Sequence, residues 1–149
     1  MPTLPQFFLS LDDGLAKLVV AVGSVPHFVT ALSSINDSPE SRELGEETIK
    51  VLEVLAKRHA HELGRHGLFP VLLNFMELCE ALYPLDVLVS TAIIVKSVLL
   101  SAWSSSGSVK DADLDKVLVV MARLVGRSHV KLQESALSCL SVLSSMVAR

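Results

Sequence analysis

Three short stretches decide the fold of this protein, and they lie 44 residues apart: Glu53-Val54-Leu55-Ala56, Ser97-Val98-Leu99-Leu100 and Ser141-Val142-Leu143-Ser144. The same spacing carries an apolar residue through three copies at other positions too, as from Leu44 to Leu88 and Leu132. A repeat of this length is typical of stacked helix pairs, in which each pair buries its apolar surface against the next. The spacing therefore predicts an all-α solenoid with a period of about 44 residues.

Each copy contains signals for two helices. We expect the first helices to begin near Val25, Leu68 and Asp111, and the second helices near Pro39, Pro84 and Ser128. Ser38 before Pro39 is a favourable start, with serine as N-cap and proline at the first helical position. No stretch alternates between apolar and polar residues, so we predict no strands. The chain is then one domain, with a partial repeat over 1–22 and repeats over 23–66, 67–110 and 111–149.

The amino-acid composition argues against several classes of protein. Half of the residues are apolar, 19% are charged and the formal net charge is −3. So apolar a chain can offset the entropy lost on folding, which argues against disorder, and it lacks the basic excess needed for direct nucleic-acid binding. Cys79 and Cys139 are too few and too far apart in sequence for a disulfide scaffold. We expect both thiols to be reduced and buried, and the protein to be cytoplasmic or nuclear.

One segment, Leu85 to Trp103, is apolar enough to resemble a membrane span, since its 19 residues match the thickness of a bilayer core. Asp86 and Lys96 lie within it, and charged side chains are costly inside a membrane. We therefore predict a buried helix and no transmembrane segment. The first residues, Met1 to Pro5, lack the basic and apolar regions of a signal peptide.

Two segments resemble the opening of an armadillo-repeat helix, which in that family carries Gly-x-x-Pro before apolar residues: Gly23-Ser24-Val25-Pro26-His27-Phe28-Val29 and Gly67-Leu68-Phe69-Pro70-Val71-Leu72-Leu73. The helices around 49–56, 93–100 and 137–144 are similar to the last helix of the same unit. The related HEAT repeat remains open, because Asp111 and Leu114 replace the glycine and proline in the third copy. This resemblance, over residues 23 to 148, implies a right-handed solenoid of ARM/HEAT-like repeats that binds proteins without catalysis or a cofactor.

The second helix of each repeat has an apolar and a polar side. On a helical wheel the apolar side, predicted to be core, holds Leu44, Thr48, Val51, Leu52 and Leu55. The opposite side and its repeat-related positions form a surface that we call the ridge: Lys50, Glu53, Lys57, Ile94, Ser97, Ser101, Ser138, Ser141 and Ser145. The ridge is either a solvated face or a groove for a partner helix or peptide segment, which small hydroxyl side chains would let approach closely.

A basic cluster near the end of the same helix in the first repeat is a second candidate surface, for an acidic partner or a phosphate: Arg58, His59, His61, Arg65 and His66. It superficially resembles the zinc-protease motif His-Glu-x-x-His. However, His61 and His66 are five residues apart and cannot share one helix face, so we predict no metal site. Basic residues also suit a helix C-terminus without any ligand.

The sequence thus predicts a non-catalytic scaffold or adaptor, a domain of a larger assembly factor, that binds protein partners. The ends of the array lack polar capping residues, so self-association through them is a further expectation. An alternative is a helical domain that binds lipid or a membrane surface, suggested by the apolar Leu85–Trp103 segment. A remote alternative is a metal enzyme built on the histidine cluster.

Overall fold

The computed structural model describes residues 23–36, 38–106 and 110–147. The helices of these ranges are α1 (Val25–Ser33), α2 (Pro39–Arg65), α3 (Leu68–Leu82), α4 (Leu85–Ser106), α5 (Asp111–Val125) and α6 (Val130–Val147). Within the described ranges there is no strand, so the prediction of an all-α protein is confirmed. The predicted partial repeat over 1–22 lies outside the described residues.

The helices begin where the local sequence signals place them. Helices α1, α3 and α5 start at Val25, Leu68 and Asp111, as predicted, and α2 starts at Pro39. The side chain of Ser38 accepts a hydrogen bond from the backbone N–H of Ser41 at 3.2 Å, which satisfies one unpaired donor of the first turn. Helices α4 and α6 begin one and two residues after the predicted positions.

Consecutive helices pack as pairs: α1 with α2, α3 with α4, and α5 with α6. Between pairs, α2 packs against α4 and α4 against α6, while α1 packs against α3 and α3 against α5. The six helices therefore form two layers, one of α1, α3 and α5 and the other of α2, α4 and α6. The core lies between the layers and includes Leu52, Leu72, Leu99 and Met121, all almost fully buried.

Helix α4 lies at the centre of its layer, with α2 and α6 on its two sides and α3 behind it. By length and composition it is the one described helix that could cross a membrane, over Leu85–Ser104. Much of its apolar surface is instead buried against its neighbours, including Leu88, Ile94 and Leu99. About 44% of this window is buried inside the protein, so packing against the neighbouring helices accounts for part of its apolar composition.

A close approach joins α2 to α3. A Cβ atom on Gly45 would collide with the hydroxyl of Tyr83 and would lie 3.2 Å from Cε2 of Phe75. The two rings pack on each other with centroids 5.2 Å apart, and the Tyr83 hydroxyl donates to the carbonyl of Ser41 at 3.4 Å. Glycine at position 45 therefore lets these aromatic rings contact the α2 backbone.

Gly67, the residue directly before α3, has a left-handed backbone with a φ of +79°. An L side chain at such a φ costs about 1 kcal/mol or more. We expect Gly67→Ala to lower the free energy of unfolding by about that amount in urea denaturation. The matched control is Gly64→Ala, whose Cβ would make an ordinary 3.6 Å contact with Val98, so its stability should be unchanged or slightly higher. Equal losses from both variants would contradict this explanation.

One core prediction is wrong. Leu44 was predicted to be buried, but 49% of its surface is exposed, whereas Leu88 and Leu132 at the related positions are 0% exposed. Leu44 lies near the start of α2, beside the nine-residue α1, the shortest described helix. Its helical face points in the same direction as in the later copies, but none of the described helices covers it there.

Candidate functional site

An open groove runs between α4 and α6, with a volume of about 440 Å³. Its lining comes from four residues of α4 and three of α6: Ile93, Lys96, Ser97 and Leu100, and Glu134, Ser135 and Ser138. Two of them are apolar and unusually accessible, since Ile93 is 39% and Leu100 is 42% exposed. They lie seven residues apart on α4 and therefore face the same side of the helix. We call this cleft the α4–α6 groove.

The groove is open because of a difference between two related helix junctions. At the junction of α4 and α6, Lys96 contacts Ser138. The residues 44 positions earlier are Leu52 on α2 and Ile94 on α4. Both earlier side chains are 0% exposed. Branched apolar side chains fill the α2–α4 junction, whereas the small Ser138 leaves space beside α4. The two junctions thus share a register and differ in packing.

Lys96 is held across the groove by one hydrogen bond. Its Nζ donates to Oγ of Ser138 at 2.6 Å, and among the described residues no carboxylate lies within ion-pair distance of it. The Ser97 hydroxyl donates to the carbonyl of Ile93 at 3.1 Å, within its own helix. Burial raises the pKa of the nearby Cys139 thiol to about 11, and the Lys96 ammonium opposes that rise. The groove therefore presents one cation, Lys96, one carboxylate, Glu134, and several hydroxyls beside two apolar side chains.

The structure brings only part of the predicted ridge into this groove. Ser97 and Ser138 line it, while the other seven residues do not. Ser141, Ser145 and Lys57 are exposed; Lys50, Glu53 and Ser101 are partly exposed. The prediction for Ile94 is wrong: it is 0% exposed because α4 packs against α2 on that side. Lys50 also lies 3.6 Å from Glu47 in an ion pair on the surface of α2.

The predicted basic cluster occupies the last turns of α2 and its C-cap. Its charge is partly balanced by Glu62, which lies 3.7 Å from Arg65 and 3.8 Å from the Nε2 of His66. His59 interrupts α2, with non-helical backbone angles of φ −124° and ψ 29°, and its Nε2 atom is buried without a hydrogen-bond partner. Arg58, His61 and Arg65 are exposed. The cluster forms no pocket among those described, so it is a weaker candidate than the α4–α6 groove.

Lys96, Ile93 and Leu100 are central to the groove, but the sequence interpretation missed them. The signal for Lys96 was present, because a lone cation in an apolar helix stands at the position that Leu52 occupies one repeat earlier. A charge at a core position of a repeat indicates that the local packing differs. Ile93 and Leu100 had no such signal, because their exposure follows from the space that Ser138 leaves on the neighbouring helix.

A smaller cavity of about 120 Å³ lies between α1 and α3, beside Leu32, Val71 and Phe75. Its walls carry no charged side chain, so it offers little chemistry beyond packing. In the part of the chain that the structure describes, no three His, Cys, Asp or Glu side chains are grouped so as to hold a metal ion. The α4–α6 groove is thus the best-defined candidate site.

Comparison with known proteins adds no identification. No protein-family model matches the chain, and no curated protein or solved structure is significantly similar to it.

Proposed function

We propose that the protein is a short right-handed α-solenoid of ARM/HEAT-like repeats that acts as a non-catalytic scaffold, and that the α4–α6 groove binds a helix of a protein partner. The pairing of helices, the 44-residue spacing and the two layers support the solenoid. The observation that carries the binding proposal is the opening of the α4–α6 junction where the α2–α4 junction is filled.

The dimensions and chemistry of the groove suit a helix. Ile93 and Leu100 lie two turns apart, which matches the spacing of apolar anchors on one face of an amphipathic helix. Ser135 and Ser138 are small, so a partner backbone can approach α6 closely. Ile93 and Leu100 are 39% and 42% exposed, so a partner helix would cover apolar surface there. Burial of such apolar surface favours association by roughly 25 cal/mol per Å².

Filling the groove should abolish binding. In Ser138→Ile the new side chain is the residue type found at position 94, and we expect at least about tenfold weaker capture of the partner. The change also removes the hydrogen-bond acceptor of Lys96, so the free energy of unfolding of each variant is measured alongside its binding. The matched control is Ser144→Ile, an equal change at an exposed position of α6 outside the groove. A photo-crosslinking residue at position 100 identifies the captured segment by mass spectrometry.

The result that would overturn the proposal is equal crosslinking in wild-type, Ser138→Ile and Ser144→Ile proteins, because the contact would then not depend on the open groove. Crosslinks to many unrelated sequences that persist in Ser138→Ile would have the same meaning. A helical segment lost in Ser138→Ile and retained in Ser144→Ile supports it.

A second candidate function, binding to lipid or a membrane surface, is favoured by the length and apolar character of α4. It would require α4 to leave its contacts with α2 and α6, which bury Leu88, Val95 and Leu99. Flotation with liposomes distinguishes the two candidates. Protein that floats and loses its helix-packing signal in near-UV circular dichroism supports the membrane candidate, and protein that stays in solution removes it.

A further inference from the structure

Lys96 is an unusual residue for the centre of a packed helix. It is partly buried at the junction of α4 and α6, and its ammonium has a neutral hydroxyl, that of Ser138, as its hydrogen-bond acceptor. The corresponding residue one repeat earlier is the buried Leu52, so the fold does not require a cation at this position. A lysine thus stands where a leucine would pack, which points to a role in recognition.

A carboxylate is the ligand that this arrangement would hold best. An ion pair with additional hydrogen bonds is stronger than an ammonium–hydroxyl bond, particularly where water is partly excluded. The hydroxyls of Ser135 and Ser138 line the same cleft and can donate to carboxylate oxygens, whereas the Ser97 hydroxyl donates to the carbonyl of Ile93. Glu134 also lines the groove, exposed on the α6 side, and would repel a carboxylate placed beside it, so an acidic group is favoured only next to Lys96. The groove is therefore suited to one acidic group.

The apolar side chains fix where that group must lie. Ile93 and Leu100 are separated by about 10 Å along α4, and Lys96 lies between them in the sequence. We propose that the α4–α6 groove selects an acidic amphipathic helix, with one Asp or Glu midway between two apolar residues seven positions apart, and that Lys96 determines this specificity. The inference rests on the function proposed above and names the chemistry of the partner helix.

The test uses a displayed library of helical peptides with two leucines fixed seven positions apart and the positions between them randomised. Selection on the wild-type protein is paired with counter-selection on Ser138→Ile, so that only peptides that need the open groove are retained. We expect Asp or Glu to exceed Gln and Lys about tenfold at one of the two central positions, the third or fourth after the first leucine. Lys96→Met, a change toward the apolar residue of the earlier junction, should fold normally and remove the preference. Lys96→Glu should reverse it toward Lys.

The outcomes separate the two proposals. The role of Lys96 is overturned if the enriched peptides show no acidic preference, or if that preference survives in Lys96→Met. Binding of a helix in the groove would still stand in both cases. No enrichment on wild-type over Ser138→Ile overturns both proposals, because the groove then binds no helix. Each variant must have the circular dichroism spectrum and melting temperature of the wild-type protein. A lost preference for acidic peptides can then be assigned to the lost charge and not to unfolding. Weaker acidic preference at high salt is expected for an ion pair.

Discussion

Truncation of Leu88 to alanine is expected to lower the free energy of unfolding by about 2–5 kcal/mol, because this fully buried side chain would leave a cavity between the helices. Leu132→Ala should cost a similar amount, since Leu132 is equally buried. Leu44→Ala, the same change at the first repeat-related position, should cost about 1 kcal/mol or less because half of that side chain is already exposed. Urea denaturation of the three variants measures the contrast.

All three variants make the same change, leucine to alanine, at repeat-related positions, so any difference in stability reflects how each side chain is packed. If Leu44→Ala destabilised the protein as much as Leu88→Ala, a part of the chain outside the described residues would have to cover Leu44 in solution. If all three changes were mild, the two-layer packing described above would be wrong. A change in the denaturant dependence of unfolding, rather than in its midpoint, would indicate an altered unfolded state.

The stability of the protein is expected to fall steeply above pH 9. Burial, reinforced by Glu46 and Glu80, raises the pKa of the Cys79 thiol to about 12, and burial raises that of Cys139 to about 11. The unfolded thiols ionise near pH 9, while the folded thiols stay protonated. The unfolded state therefore binds fewer protons, and the free energy of unfolding falls with rising pH, by roughly 2 kcal/mol per thiol between pH 9 and 11.

Guanidinium denaturation at pH 8 and pH 11 under reducing conditions measures this loss. The Cys79→Ala, Cys139→Ala double variant is the control, because it retains every other titrating group, including Tyr83, whose pKa burial also raises to about 12. The free energy of unfolding of the wild-type protein should approach that of the double variant as the pH rises, because only the wild-type protein loses the contribution of the thiols. A constant difference would show that the thiols ionise equally in the folded and unfolded states.

The positions of the helices could be predicted from sequence because their signals are local. Ser38-Pro39 starts α2, and α3 starts directly after Gly67, as its Gly-x-x-Pro pattern predicted. Such signals depend on the residue and its immediate neighbours in the chain. The interruption of α2 at His59 had no such signal, since neither proline nor glycine stands there.

Exposure was harder to predict because it depends on the residue opposite. Ile94 and Ser138 occupy the same helical position, yet one closes a junction and the other leaves it open. The helical wheel placed both on one polar side and could not include the neighbouring helix. The prediction that Leu44 is buried was wrong for the same reason, because Leu44 matches Leu88 in the sequence pattern but not in the helices that surround it. Two of the seven residues that line the groove were therefore among the predicted ridge positions, and the other five required knowledge of how α4 packs against α6.

The opening between α4 and α6 also bears on which part of the protein we expect to unfold first. Helices α5 and α6 join the rest mainly through α3 and α4, and this attachment includes an ammonium–hydroxyl bond and the largely solvated Arg123–Glu80 pair at 2.8 Å. In a chain of neighbour-coupled units, the unit with the weakest coupling frays at the lowest free energy. A ligand that contacts both α4 and α6 would then also stabilise the attachment of the last helix pair, so that this pair and the rest of the protein unfold together.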